Sequence, residues 1–145
     1  MSETMVVSGD SDKSSEISGL DMAPGLGFVS GVVVDSHFAE RGRIGRLIGC
    51  VAQNPCNIGL GIDEDTAVIV HNGQFSVIGS SAVYVLDGTE ITYSSLSEQH
   101  PGGILSVSDL KLHVLANGDK YNLVERQPLL KQQADSYAGI LISGR

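Results

Sequence analysis

The spacing of apolar residues changes character several times along the chain. From Gly25 to Gly31 glycines are interspersed with apolar residues, and Val32-Val33-Val34 follows as an unbroken β-branched run. A run with no polar face predicts a strand buried on both sides, as in a parallel sheet. Next, Ile44, Leu47, Ile48 and Val51 fall at i, i+3, i+4 and i+7, one stripe of an amphipathic helix. Asn54-Pro55 ends that helix, because the residue before a proline is pushed out of helical dihedrals. Ile58 to Ile62 then reads as a second buried strand that runs into Asp63-Glu64-Asp65.

Beyond this point the pattern shortens into strands and turns. Thr66 to Val70 and Phe75 to Ile78 flank Asn72-Gly73, a strong hairpin signal. Ala82 to Leu86, the turn Asp87-Gly88 and Ile91 to Tyr93 predict a second hairpin. After a loop through His100-Pro101-Gly102-Gly103, Leu110 to Leu115 is expected to return at Asn117-Gly118 through Tyr121 to Leu123. At the ends, Met1 to Val7 reads as the last turns of a helix closed by Gly9, with a polar loop from Asp10 to Ser18. Pro128 to Gln133 reads as a short helix and Tyr137 to Ile142 as a weak strand. One strand–helix–strand unit followed by hairpins predicts an α/β start with an antiparallel finish.

Composition narrows the class. A chain of 145 residues is expected to form one domain. With 41% hydrophobic and 18% charged residues it is too apolar for disorder, and no segment is long and apolar enough for a membrane span. A net charge of −8 argues against general affinity for nucleic acid. Cys50 and Cys56 suit neither a disulfide framework nor a zinc knuckle, and both are expected to be buried or half-buried in a reducing compartment. The first residues lack the build of a signal peptide, so a cytoplasmic location is expected if Met1 is the start.

Candidate chemistry gathers at two predicted strand ends, where ligands bind in open α/β sheets. His37 exchanges a proton near neutrality, and a carboxylate such as Glu64 on its second nitrogen would fix the tautomer, giving two thirds of a triad. The plain alternative is an exposed or structural strand-end histidine. Arg41, Arg43 and Arg46 are a third of the chain's nine basic residues. Arg43 and Arg46 stand about 60° apart on a helix, away from the apolar stripe, so they can share one anion. The alternative for them is a solvated face paired with Glu40, Asp63 or Asp65. Asp63-Glu64-Asp65 and Asp35-x-His37 also invite a metal reading. Against it, consecutive extended residues point to opposite faces. The expectation is therefore no metal and no cofactor, with His71, His100 and His113 structural.

Several linked motifs carry a resemblance. Ala23-Pro24-Gly25-Leu26-Gly27-Phe28, Asp35-Ser36-His37-Phe38, Arg41-Gly42-Arg43-Ile44-Gly45-Arg46-Leu47 and GLGIDEDTA from Gly59 to Ala67 occur in that order. Val77-Ile78-Gly79 and Leu112-His113-Val114-Leu115 follow. Over residues 1–126 the chain resembles the cyanophycinases, serine-type peptidases related to the aspartyl dipeptidase called peptidase E. The resemblance implies a flavodoxin-like or class I glutamine amidotransferase-like α/β sandwich, here an incomplete C-terminal portion with antiparallel hairpins. Residues 127–145 would form a tail.

It also implies a cytoplasmic, usually homodimeric enzyme without nucleic-acid or membrane partners. The enzyme would release β-Asp-Arg dipeptides from cyanophycin, a poly-aspartate polymer bearing arginine on its side-chain carboxyls. His37 would be the general base and Glu64 the acid that orients it. Asp35, Ser36, Arg41, Arg43 and Arg46 would line the substrate pocket, with Ser36 standing where the family commonly has a glutamine. The serine nucleophile of the family sits in a Gly-x-Ser-x-Gly turn. No such motif occurs in these 145 residues.

In the family the nucleophile lies just before the stretch resembling Met1 to Val7, so the chain is expected to be the C-terminal portion of a longer enzyme, inactive alone. Its first parallel strands would lack neighbours, and the isolated portion is expected to fold poorly. A noncatalytic module binding the Asp-Arg polymer, and a metal-dependent hydrolase using Asp35, His37 and the Asp63 to Asp65 cluster, are the alternatives.

Overall fold

Backbone pairing arranges the chain as a helix, a large sheet and a smaller sheet, stacked in that order. The structure is a computed structural model that describes residues 2–8, 21–98 and 103–129. The strands are β1 (Ser2–Ser8), β2 (Asp21–Pro24), β3 (Val29–Ser36), β4 (Ile58–Ile62), β5 (Thr66–His71), β6 (Gln74–Gly79), β7 (Val83–Asp87), β8 (Tyr93–Ser94), β9 (Val107–Ser108), β10 (Lys111–Leu115), β11 (Lys120–Asn122) and β12 (Gln127–Leu129). The helix α1 spans Ile44–Gln53, and a 3-10 turn covers Ser95–Glu98.

The middle of the large sheet is parallel. β3 pairs with β4 from Val32 opposite Ile58 to Ser36 opposite Ile62, and with β1 on its other side. β2, β7 and β10 complete the order β10-β7-β4-β3-β1-β2 through antiparallel pairs. The smaller sheet runs β12-β11-β6-β5, and β8 and β9 form a ribbon of their own. This is an α/β-type fold made mostly of β-sheet.

The valine run divides between two cores. Val32 packs between the sheets with Ile58, Leu60, Val83, Val85, Phe75, Val77 and Tyr121, whereas Val33 packs under the helix with Leu47, Cys50, Val51, Leu86 and Phe38. Successive strand residues face opposite layers, so a strand covered on both sides has no polar alternate. Each such aliphatic side chain contributes about 1.5–3 kcal/mol when fully buried. β4 solves the same problem with size. Ile58 and Leu60 face the small sheet, while Gly59 and Gly61 face the helix, where a Cβ would stand 2.8 Å from Val51 Cγ2 and 2.5 Å from the Phe38 ring respectively.

Four expectations are corrected. Ser2–Ser8 is a strand, not a helix end: it covers the edge of β3, whose donors and acceptors would otherwise be unpaired, so that strand does not lack a neighbour. Ile91 to Tyr93 does not return along β7, because both edges of β7 are taken by β4 and β10; Tyr93–Ser94 pairs with Val107–Ser108 instead. After Asn117-Gly118 the chain does not fold back on β10 but crosses to the other sheet, where β11 pairs with β6 and β12. Pro128 and Leu129 belong to a strand rather than a helix; the expected strand at Tyr137 to Ile142 lies outside the described residues. Among the described residues no helix is long and apolar enough to cross a membrane.

Candidate active site

β3 and β4 end side by side, and the candidate residues emerge from their carboxyl ends. His37 directly follows β3, and Asp63-Glu64-Asp65 directly follows β4. Both connections bend sharply: His37 has φ +51° and Asp65 φ +52°, values uncommon for residues with a Cβ. His37 Nδ1 lies 2.8 Å from Glu64 Oε1, with both side chains about half exposed. An ionised carboxylate only accepts, so Nδ1 is the donor. In the neutral ring the lone pair then falls on Nε2, which is free to take a proton.

Backbone ties hold the connection after His37 against the end of β4. Phe38 N–H donates to Ile62 O at 3.3 Å, Ala39 N–H to Asp63 Oδ1 at 2.8 Å, and Glu64 N–H to Glu40 Oε1 at 3.2 Å. Phe38 itself is buried, its ring lying over Gly61 and 5.1 Å from the Tyr84 ring.

Two of the three arginines share an anion, and that anion is Asp35. Arg46 is 9% exposed and Asp35 4%. Arg46 Nε donates to Asp35 Oδ2 at 2.9 Å and Arg46 Nη2 donates to Oδ1. Arg43 Nη1 donates to Oδ1 at 3.1 Å and to Ser36 O at 2.6 Å. The ion pairs of Arg43 and Arg46 among the described residues go to Asp35. Ser36, next to His37 in the chain, and Arg41 are both exposed, and Arg41 has no ion pair among the described residues.

The acidic triplet is not extended, and its members take different surroundings. Asp63 turns inward to Ala39, Glu64 turns to His37, and Asp65 is exposed while its carbonyl accepts Ser80 N–H at 3.0 Å. Among the described residues no three His, Cys, Asp or Glu side chains converge as metal ligands. His71 is exposed, His113 stacks obliquely on Tyr121, and His100 lies outside the described residues. Cys50 is buried, but Cys56 is exposed, contrary to expectation, because it lies in the turn between α1 and β4. Burial pushes the Cys50 thiol up to about 12, Asp35 adding to the effect.

Sequence reasoning missed the roles of Asp63 and Glu40 in fastening the His37 connection. It also missed an ion pair at the far end of the sheet, where Arg126 Nη1 donates to the buried Asp87 at 2.8 Å. The alternation in β4 held one signal: Gly59 and Gly61 face the helix, so Asp63 continues that inward-facing series.

No established family profile matches the sequence. The chain is, however, 42% identical over 132 residues to cyanophycinases of Trichormus variabilis and of a Nostoc species, an alignment covering 89% of the chain and 44% of each relative. It is 38% identical over 128 residues to the cyanophycinase of Thermosynechococcus vestitus, covering 88% of the chain and 40% of the relative. Similarity to the cyanophycinase of Geminocystis herdmanii is 35% over 130 residues, or 89% and 48% of the two chains. The chain thus spans less than half the length of these curated relatives.

Proposed function

We propose that this chain, a relative of the cyanophycinases over about nine tenths of its length, carries the acid–base part of a cyanophycin-hydrolysing site. The supporting observation is the 2.8 Å contact between His37 Nδ1 and Glu64 Oε1 at the ends of adjacent parallel strands. With Nδ1 engaged, Nε2 is the atom that would take the proton of an attacking hydroxyl and return it to the leaving amine. The absence of Gly-x-Ser-x-Gly in 145 residues leads us to assign the nucleophilic serine to a segment outside them. In this reading the fold is part of a flavodoxin-like sandwich, residues 1–126 belong to the peptidase domain and 127–145 to a tail, and the whole enzyme is a cytoplasmic homodimer.

The substrate reading follows the charges. Each repeat of cyanophycin bears guanidinium groups and carboxylates, so acidic side chains of a chain of net charge −8 can meet the former and an arginine the latter. Arg41, exposed and without an ion pair among the described residues, is the cation assigned to a substrate carboxylate, while Arg43 and Arg46, bound to Asp35, shape the wall between Ser36 and α1. The different engagements of Asp63, with Ala39, and Glu64, with His37, disfavour the metal-dependent alternative.

The test is hydrolysis. The 145-residue chain incubated with cyanophycin is expected to release no β-Asp-Arg, whereas a longer chain that includes an upstream Gly-x-Ser-x-Gly should release it. His37→Ala in the longer chain should lower turnover by about 10²–10⁴-fold. Release by the short chain, or full turnover by the variant, would defeat the proposal. If no such motif lies upstream, a polymer-binding role without hydrolysis replaces it.

A further inference from the structure

We infer that Asp63 is a positioning residue for the His37 imidazole, fixing the ring's location through the backbone of the connection that carries it. The inference rests on the acid–base reading of His37 and Glu64, but not on the identity of the substrate. A single hydrogen bond between two half-exposed side chains is a weak constraint, since both are free to turn into solvent. A residue with a Cβ at φ +51° also persists only when its surroundings over-determine it.

The surroundings do so from both sides. Before His37, Ser36 O accepts from Arg43 at 2.6 Å. After it, Phe38 N–H reaches Ile62 O, and Ala39 N–H reaches Asp63 Oδ1 at 2.8 Å. Asp63 differs from the other ties in three respects. Its carboxylate is buried, with the residue 8% exposed, so the bond is shielded from water. Its own N–H donates to Ala82 O at 3.2 Å, which anchors it to the chain entering β7. It is also covalently joined to Glu64, so one residue sets both the base's connection and the carboxylate that orients the base. Glu40, which ties the same two segments, is exposed.

The experiment is side-chain nitrogen NMR on the chain labelled with ¹⁵N-histidine, at a pH where the ring is neutral, with Glu64→Ala as the reference for an unheld ring. In the unsubstituted chain His37 should show one tautomer, hydrogen on Nδ1. Asp63→Asn retains an oxygen that accepts from Ala39 N–H and should keep that tautomer. Asp63→Ala removes the acceptor and Asp63→Glu displaces it, so both should move the ring to the mixed signal of Glu64→Ala. A single tautomer in Asp63→Ala, or its complete loss in Asp63→Asn, would overturn the inference. So would failure of both the Ala and Glu variants to fold while the Asn variant folds, since the residue would then hold the fold rather than the ring. A mixed signal in the unsubstituted chain would remove the acid–base reading itself.

Discussion

Arg46 meets Asp35 with two donors at once: Nε stands 2.9 Å from Oδ2 while Nη2 engages Oδ1. Arg43 brings a further donor to Oδ1 at 3.1 Å, so two cations from the start of α1 hold one buried carboxylate at the end of β3. The helix is thereby fastened to the strand that delivers His37.

Replacing Arg46 by lysine should destabilise the fold by about 1–3 kcal/mol, because one ammonium cannot reproduce the planar fork and leaves part of Asp35 without a donor. Arg46→Ala should cost about 3–5 kcal/mol, as a buried carboxylate loses its main partner. Urea unfolding measures both. Unchanged midpoints would mean that the pair contributes specificity and not stability.

Gly61→Ala should lower stability by about 1–3 kcal/mol, the usual range for overpacking. A Cβ there would sit 2.5 Å from Phe38 Cγ and Cδ1, and the ring can retreat only by moving the backbone next to His37. Thermal unfolding gives the first effect. A shift of the His37 ring signals in the same variant gives the second.

His113 makes stability fall on mild acidification. Burial lowers its pKa, Lys111 adds repulsion and Asp87 opposes them. The unfolded imidazole titrates near pH 6.5. Below that value the unfolded chain binds more protons than the folded one, so the full contribution is present above about pH 6.5 and is lost as pH falls toward the lower folded value. The unfolding midpoint should drop as pH falls below about 6.5, and His113→Phe, which also removes a buried Nε2 without a hydrogen-bond partner among the described residues, should flatten that drop. Equal slopes in the two chains would refute the assignment.

Asp87 acts at lower pH with the sign of a depressed carboxylate. Burial works to raise its pKa, but donors from Thr89 N–H, Thr89 Oγ1 and Arg126 outweigh burial and hold it below the ordinary value. Its contribution is complete above about pH 4 and is lost as pH falls through the folded pKa. Asp87→Asn should therefore weaken the fold at neutral pH and reduce its further loss in acid, as followed by circular dichroism.

Only one thiol should react under native conditions. Cys56 is exposed, whereas Cys50 is buried on the inward face of α1 with its thiol raised to about 12. Native labelling with a maleimide should modify Cys56 alone, and unfolding should expose the second site. Equal labelling rates would place Cys50 in a far looser core.

The strand–helix–strand unit was legible because its periods are strong and its partners are close in sequence. Asn72-Gly73 likewise marks a true hairpin, both residues having the positive φ that a two-residue turn requires. Turn signals failed where they implied pairing. Asp87-Gly88 and Asn117-Gly118 do turn the chain, but the strands after them find other neighbours, and competition for a strand edge is not written in a local pattern. For the site, residue types and strand ends identified His37 and Glu64. What escaped was the partner that Arg43 and Arg46 share, since Asp35 is buried by tertiary contacts that spacing along a helix does not reveal.

The pairing of Ser36 with Ile62 has a meaning for evolution as well as for architecture. A slip of one residue between those strands would slide imidazole and carboxylate past each other by about 3.3 Å and turn every neighbouring side chain over. The valines and glycines that forbid such a slip are governed by volume alone. Selection for a well-filled interior is thus enough to preserve the spacing of the two titratable groups, even in lineages where the chemistry itself is no longer under selection.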